Sequence, residues 1–256
     1  RTSSQALIVV VALLLVGGAR AGEPPNQNDP CSRGGRNTCG TSGVGFYGTY
    51  KYGLRWFGDF KGAVPGQPRG FCIDLRYWYP SADYKYREDA SGKLVNRDGE
   101  AVSLESQRRL AYAVWTFGRS SDPQQQAAVM LYVHSLMGDG RPGEASPDEL
   151  GTAVRTHFAR ISSDSAAFHG PYRAVVSMPA GLKVRAKGSA TIRVVAATGK
   201  AVPEVKLSLG GSGVGGVPAS VTTGESGVVT VPFTATGGAN ATITARTEAI
   251  ASTLPR

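Results

Sequence analysis

The spacing of apolar residues changes twice along this chain, and that order restricts it to a sheet, then helices, then a second sheet. From Gly43 to Tyr86, Phe, Tyr and Trp alternate with small or charged residues and are broken by Gly and Pro. Such runs suit short strands of a twisted sheet, and the aromatics form its core or line a sugar-binding groove. Gly66-Gln67-Pro68-Arg69-Gly70 reads as the turn before a strand that carries Phe71-Cys72-Ile73-Asp74-Leu75. Ser103 is placed to cap a helix with apolar positions Leu104, Leu110, Ala111, Val114, Trp115 and Phe117, and Gly118 to end it. Asp122-Pro123 opens a second helix, through Met137, whose wide apolar face predicts burial. A third is expected from Ser146-Pro147-Asp148-Glu149 to about Ala159.

After Gly170-Pro171 strict alternation returns in Leu182–Ala186, Thr191–Val195, Val205–Leu209, Val228–Phe233 and Ala241–Ala245. Short alternating runs between Gly-rich turns predict an antiparallel sandwich, with Thr222 to Gly227 as the hairpin before the Val228 strand and Gly210 to Gly216 as a loop. At 256 residues two cores are affordable. The expected class is α+β: a mixed sheet-and-helix head over 43–170, then an all-β sandwich over 171–256.

Ahead of the head, Ala6–Val16 is an unbroken apolar run closed by Gly17-Gly18-Ala19-Arg20-Ala21. It is too short to span a bilayer and suits a signal peptide over 1–21, followed by an extended lead-in over 22–42. No second apolar segment would keep the mature chain in a membrane, so the protein is expected to be secreted, extracellular or associated with the cell wall. In that oxidising setting Cys31 and Cys39, which enclose seven residues of a flexible loop, are placed to form a disulfide that leaves Cys72 free. Pairing of Cys72 with one of the other two stays open.

The formal charge is +9, and removal of Arg1 and Arg20 leaves +7. No cluster of Lys and Arg is interleaved with aromatics, which argues against nucleic acid as partner, while a diffuse positive surface is a solvated exterior with no dedicated partner or one that favours anionic wall polymers or membranes. His134, His157 and His169 are too widely spaced, and too far from Cys or carboxylate pairs, for a zinc site. No phosphate-binding loop occurs, so no cofactor and no metal is expected.

Phe71-Cys72-Ile73-Asp74, then Arg109-Leu110-Ala111-Tyr112, then Asp122-Pro123-Gln124-Gln125-Gln126-Ala127-Ala128-Val129, together resemble the thioester-forming domains of Gram-positive, especially actinobacterial, surface proteins. The resemblance covers roughly 43–160, and the sandwich after Pro171 is similar to the immunoglobulin-like stalk modules that follow such heads. It implies an adhesin-like binding module, not a turnover enzyme. Its chemistry would be a bond between the Cys sulfur and a Gln side-chain carbonyl, open to attack by a Lys or polyamine. The implied partners are a surface protein of a host or neighbouring cell, a polyamine, or a cell-wall polymer.

Cys72 takes the place of the family's cysteine. Two registers compete for the glutamine. Aligning Ala127-Ala128 with the Ala pair before the family's Gln puts Met130 at the acyl position and removes the chemistry, leaving Cys72 a packed core thiol. Moving one helical turn back makes Gln126 the partner. A rival from another class is a secreted cysteine hydrolase with Cys72 as nucleophile and His134 as base. Asp74, on the same strand face as Cys72, reads as a structural hydrogen-bonding group.

Overall fold

The computed structural model describes residues 42–50, 53–61, 69–71, 94–96, 99–137, 146–237 and 240–247. The chain divides into two compact units that meet between Ala166 and Ala167. The described residues form three α-helices and three small antiparallel sheets, a mixed α+β class. None of these helices is long and apolar enough to cross a membrane. The signal segment, the lead-in up to residue 41, and Cys31, Cys39, Cys72 and Asp74 all lie outside the described residues, while Ser42, expected to end the lead-in, begins the first strand.

In the first unit β1 (Ser42–Tyr50) and β2 (Gly53–Phe60) pair as an antiparallel hairpin. Tyr47 meets Trp56 edge-on at 5.2 Å and Phe46 lies 6.3 Å from Phe57, so cross-strand aromatic contacts add to the area these rings bury. Trp56, Phe57, Phe60 and Phe71 are all in the core. Gly45 stands opposite Gly58, and a Cβ on either would overlap the backbone of the other strand. The hairpin therefore closes more tightly there than side chains permit, and the Gly58 N–H donates to Met130 Sδ at 3.3 Å.

α1 (Leu104–Phe117) begins where Ser103 Oγ accepts the Ser106 N–H at 3.1 Å and ends where the Gly118 N–H reaches Val114 O at 3.0 Å. α2 (Pro123–Leu136) is capped by Asp122, whose Oδ1 accepts from the Gln124 and Gln125 N–H groups at 2.9 and 3.4 Å. Pro123 fills a position with no N–H to lose. From Gln126 to His134 every residue of α2 is buried, with β1, β2 and α1 packed around it. Both helices fall where the sequence places them.

The third helix does not. Ser146 caps a single 3-10 turn (Pro147–Leu150), closed by the Glu149 carboxylate on the Ser146 N–H at 2.9 Å. Gly151, at a φ of 96°, breaks the chain there, and α3 (Thr152–Phe168) starts beyond it. It continues past Ala159 because Ile161 and Ser165 extend its buried side.

One charge sits inside the hairpin. Asp59 is 0% exposed, accepts the Val44 N–H at 3.0 Å and pairs with Arg69 Nη1 at 3.3 Å; Gly43 leaves the room that its carboxylate fills. Burial raises its carboxyl above the ordinary 3.8, against the opposing pull of the Val44 hydrogen bond and the Arg69 and Lys61 charges. Over a window above 3.8 the native state then keeps a proton that the unfolded chain has released, so stability falls as pH rises through the folded value. Asp59→Asn keeps the shape and the acceptor without the charge. Its Tm is expected to gain on that of the native protein from the acid end toward neutrality; a gap that opens the other way would mean the Arg69 pair outweighs burial.

In the second unit β3 (Arg173–Ser177), β4 (Lys187–Val195), β8 (Val228–Ala235) and β6 (Val214–Gly215) form one antiparallel sheet, in the order β3-β4-β8-β6. β7 (Ser220–Thr222), β5 (Lys206–Ser212) and β9 (Thr242–Thr247) form another, in the order β7-β5-β9. Alternation sends Ala190, Ile192 and Val194 of β4 and Val231, Phe233 and Ala235 of β8 to the buried side, with Leu207 and Ile243 from the other sheet also buried. Gly188 faces Phe233, and a Cβ there would come within 3.0 Å of the ring. Thr223, 2% exposed, is satisfied at both ends: it donates to Val202 O at 3.0 Å and accepts the Val205 N–H at 2.8 Å.

Three expectations for this unit are corrected. Leu182–Ala186 is not a strand, because Arg185 adopts a left-handed φ of 69° and its N–H turns to Ala235 O at 2.7 Å. Thr222 to Gly227 is a turn but not a hairpin, since β7 and β8 belong to different sheets. Gly210 to Gly216 is not a loop throughout: Gly210 to Ser212 pair with β9 and Val214–Gly215 pair with β8.

Candidate functional site

The Asp122 cap fixes where α2 starts, and thereby which of three consecutive glutamines turns inward. It is Gln126, 0% exposed. Its Nε2 donates to Phe117 O at 2.8 Å, and Gln125 Nε2 reaches the same oxygen at 3.3 Å. The Ser120 N–H also reaches it at 3.3 Å, so this carbonyl at the end of α1 gathers three donors. Gln126 Oε1 is buried, and among the described residues no donor reaches it. A buried carbonyl oxygen left in that state is rare and costs stability.

The same turn receives the segment that precedes Cys72. Phe60 and Gly70 exchange both backbone hydrogen bonds at 2.8 Å, which extends the hairpin by one short bridge. Arg69 donates to Ser120 O at 3.2 Å while it pairs with Asp59. Phe71 is 3% exposed, and its Cε2 lies 3.3 Å from where a Cβ on Gly118 would stand, so the bare glycine makes room for the ring. Phe71 and the Gln126 carboxamide are thus both set around the Phe117–Gly118 peptide.

The other expected residues lie elsewhere. Met130 is fully buried one turn further along α2, with its sulfur turned to Gly58 of β2. His134 is buried eight residues from Gln126, about 12 Å along the helix axis. His157 pairs with Asp122 Oδ2 at 3.1 Å, and His169 Nδ1 contacts Gly170 O at 2.9 Å. Among the described residues no group of three or more His, Cys, Asp or Glu is gathered as a metal would require.

The Asp59–Arg69–Ser120 clamp was not read from the sequence. Its signal is a single carboxylate in Trp56-Phe57-Gly58-Asp59-Phe60, since a charge in an apolar strand needs a partner. The cationic partner, ten residues on in a turn, carries no mark of its own.

No family model matches the chain, and no curated protein does. Among solved structures, the thioester domain of the Enterococcus faecium TIE86 protein is similar over 75% of this chain and 75% of that one, at 10% identity and a TM-score of 0.31. A likeness that loose adds nothing to the contacts described above.

Proposed function

We propose that the first unit is a thioester-domain-like head of a secreted, surface-displayed adhesin, with Gln126 and not Met130 as the acyl partner of Cys72. One observation carries the reading. The buried Gln126 carboxamide, its carbonyl oxygen without a donor among the described residues, lies on the turn against which Phe71 is packed, and Phe71 is next to Cys72 in the chain. Met130 is already committed to the hairpin through Gly58.

The chemistry is an exchange at one carbon. Cys72 Sγ adds to the Gln126 side-chain carbonyl carbon, the C–N bond breaks, and ammonia leaves with the thiol proton. An amine of the target then adds to the same carbon, the C–S bond breaks, the sulfur takes back a proton, and an amide joins Gln126 to the target. The site is consumed in the act, so this is single-use capture without turnover. Burial of the carboxamide slows hydrolysis until the amine arrives. A surface protein bearing an accessible Lys, or a polyamine, supplies the amine.

Within the same proposal the head spans 43–170 and an immunoglobulin-like stalk 171–256. The strand order supports it: β3, β4 and β8 share a sheet as strands A, B and E do in such sandwiches, and β5 neighbours β9 as C neighbours F.

Intact mass measurement of the purified protein tests the head. The expected result is a deficit of about 17 Da beyond any disulfide, for the ammonia lost, and adduct formation with methylamine. Cys72→Ala and Gln126→Ala should both restore full mass, while Met130→Gln on the Gln126→Ala background should leave it full. A deficit that survives Gln126→Ala overturns Gln126 as the acyl partner, and a native protein of full mass with a titratable thiol overturns the covalent reading.

A further inference from the structure

We propose that the outward face of the four-stranded sheet in the second unit binds a linear acidic polysaccharide. Between Asp164 and Glu204 the sequence contains six Lys or Arg and no Asp or Glu. Along the chain these cations look scattered. The sheet register gathers three of them, Arg173, Lys187 and Arg193, on one exposed face.

The geometry is that of a line and not of a pocket. Lys187, Ser189, Thr191 and Arg193 are the exposed alternate residues of β4, so Lys187 and Arg193 stand about 20 Å apart along the strand with two hydroxyls between them. Arg193 is opposite Val175 of β3, which makes Arg173 its diagonal neighbour at about 7–8 Å. Thr191 is opposite Ser177 on one side and Thr230 on the other, and both of these are exposed. Among the described residues no carboxylate pairs with Arg173, Lys187 or Arg193. The three guanidinium and ammonium groups are therefore available to an external anion.

Charge complementarity selects the occupant. A compact anion needs cations that converge on one point, whereas cations spread along a flat strand match a chain whose anionic groups repeat. The rows of Ser and Thr supply donors and acceptors for sugar hydroxyls between those groups. No aromatic residue lies among these face positions to stack on bases, which disfavours a single-stranded nucleic acid. This surface is independent of Cys72 and Gln126, so the two readings stand or fall separately.

The test uses the full chain and size-defined heparin oligosaccharides, with neutral dextran, single-stranded DNA and anionic lipid vesicles in parallel. Heparin binding is expected, with affinity that falls linearly against salt on logarithmic axes. Reversing both Lys187→Glu and Arg193→Glu should weaken it by about tenfold or more and flatten the salt slope by roughly two, about one for each cation removed. The charge-matched pair Lys206→Glu and Arg246→Glu, on the three-stranded sheet, should bind as the native protein does. Gln variants at 187 and 193 give the same answer should the Glu pair fail to fold. Absence of heparin binding, equal loss in the two charge-matched pairs, equal affinity for dextran, or tighter binding of DNA or vesicles than of heparin would each overturn the proposal. A Gln126→Ala protein should bind heparin unchanged, which separates this surface from the covalent site.

Discussion

Met130→Ala is expected to destabilise the first unit by roughly 3 to 5 kcal/mol in urea unfolding, near the upper end for a truncated core side chain. Two losses combine. The first is the volume of a fully buried side chain in a helix that has no wet side, where neighbours on every flank hinder collapse into the gap. The second is the acceptor for the Gly58 N–H, which would be left buried and unbonded. Met130→Leu separates these, because it keeps the volume and removes only the sulfur. It should lose no more than about 1 to 2 kcal/mol. A near-neutral Met130→Ala would mean that α2 does not pack on the hairpin as described.

Gly58→Ala should be nearly as damaging, at about 3 to 5 kcal/mol, for a different reason. Its φ is 153°, and an added Cβ would overlap the Val44 carbonyl and the Gly45 Cα on the facing strand. The strands would have to separate at the point where the hairpin meets Met130. Gly99→Ala is the control: φ is positive there too, at 82°, but nothing lies within 4 Å of an added Cβ. It should cost only the backbone strain, about 1 kcal/mol. Equal losses at the two positions, measured by the same unfolding, would show that strain and not strand contact sets the cost.

The helices were legible because their ends are written in local chemistry. Ser103, Gly118, Asp122 and Pro123 act on backbone groups a few residues away, and no tertiary information is needed to place them. What a buried helix does not write down is its rotation. With apolar residues all round α2, the sequence offered Gln126 and Met130 to the same role, and only the packing shows that Met130 turns to β2 and Gln126 to the end of α1. The extension of α3 was missed because Gly151 detached its capping residues into a turn of their own. The false strand at Leu182–Ala186 had the right alternation, which a single left-handed residue, Arg185, interrupts. The basic face was not legible because Arg173 and Arg193, twenty positions apart, become neighbours only through strand register.

The unbroken burial of Gln126 through His134 also bears on how such a chain can evolve. A helix with one side in water has positions where mutation is nearly silent, and these absorb the drift that separates related proteins. Nine successive positions without such a side offer none, so lineages that share this head would be expected to differ first on α1 and α3 and last along α2.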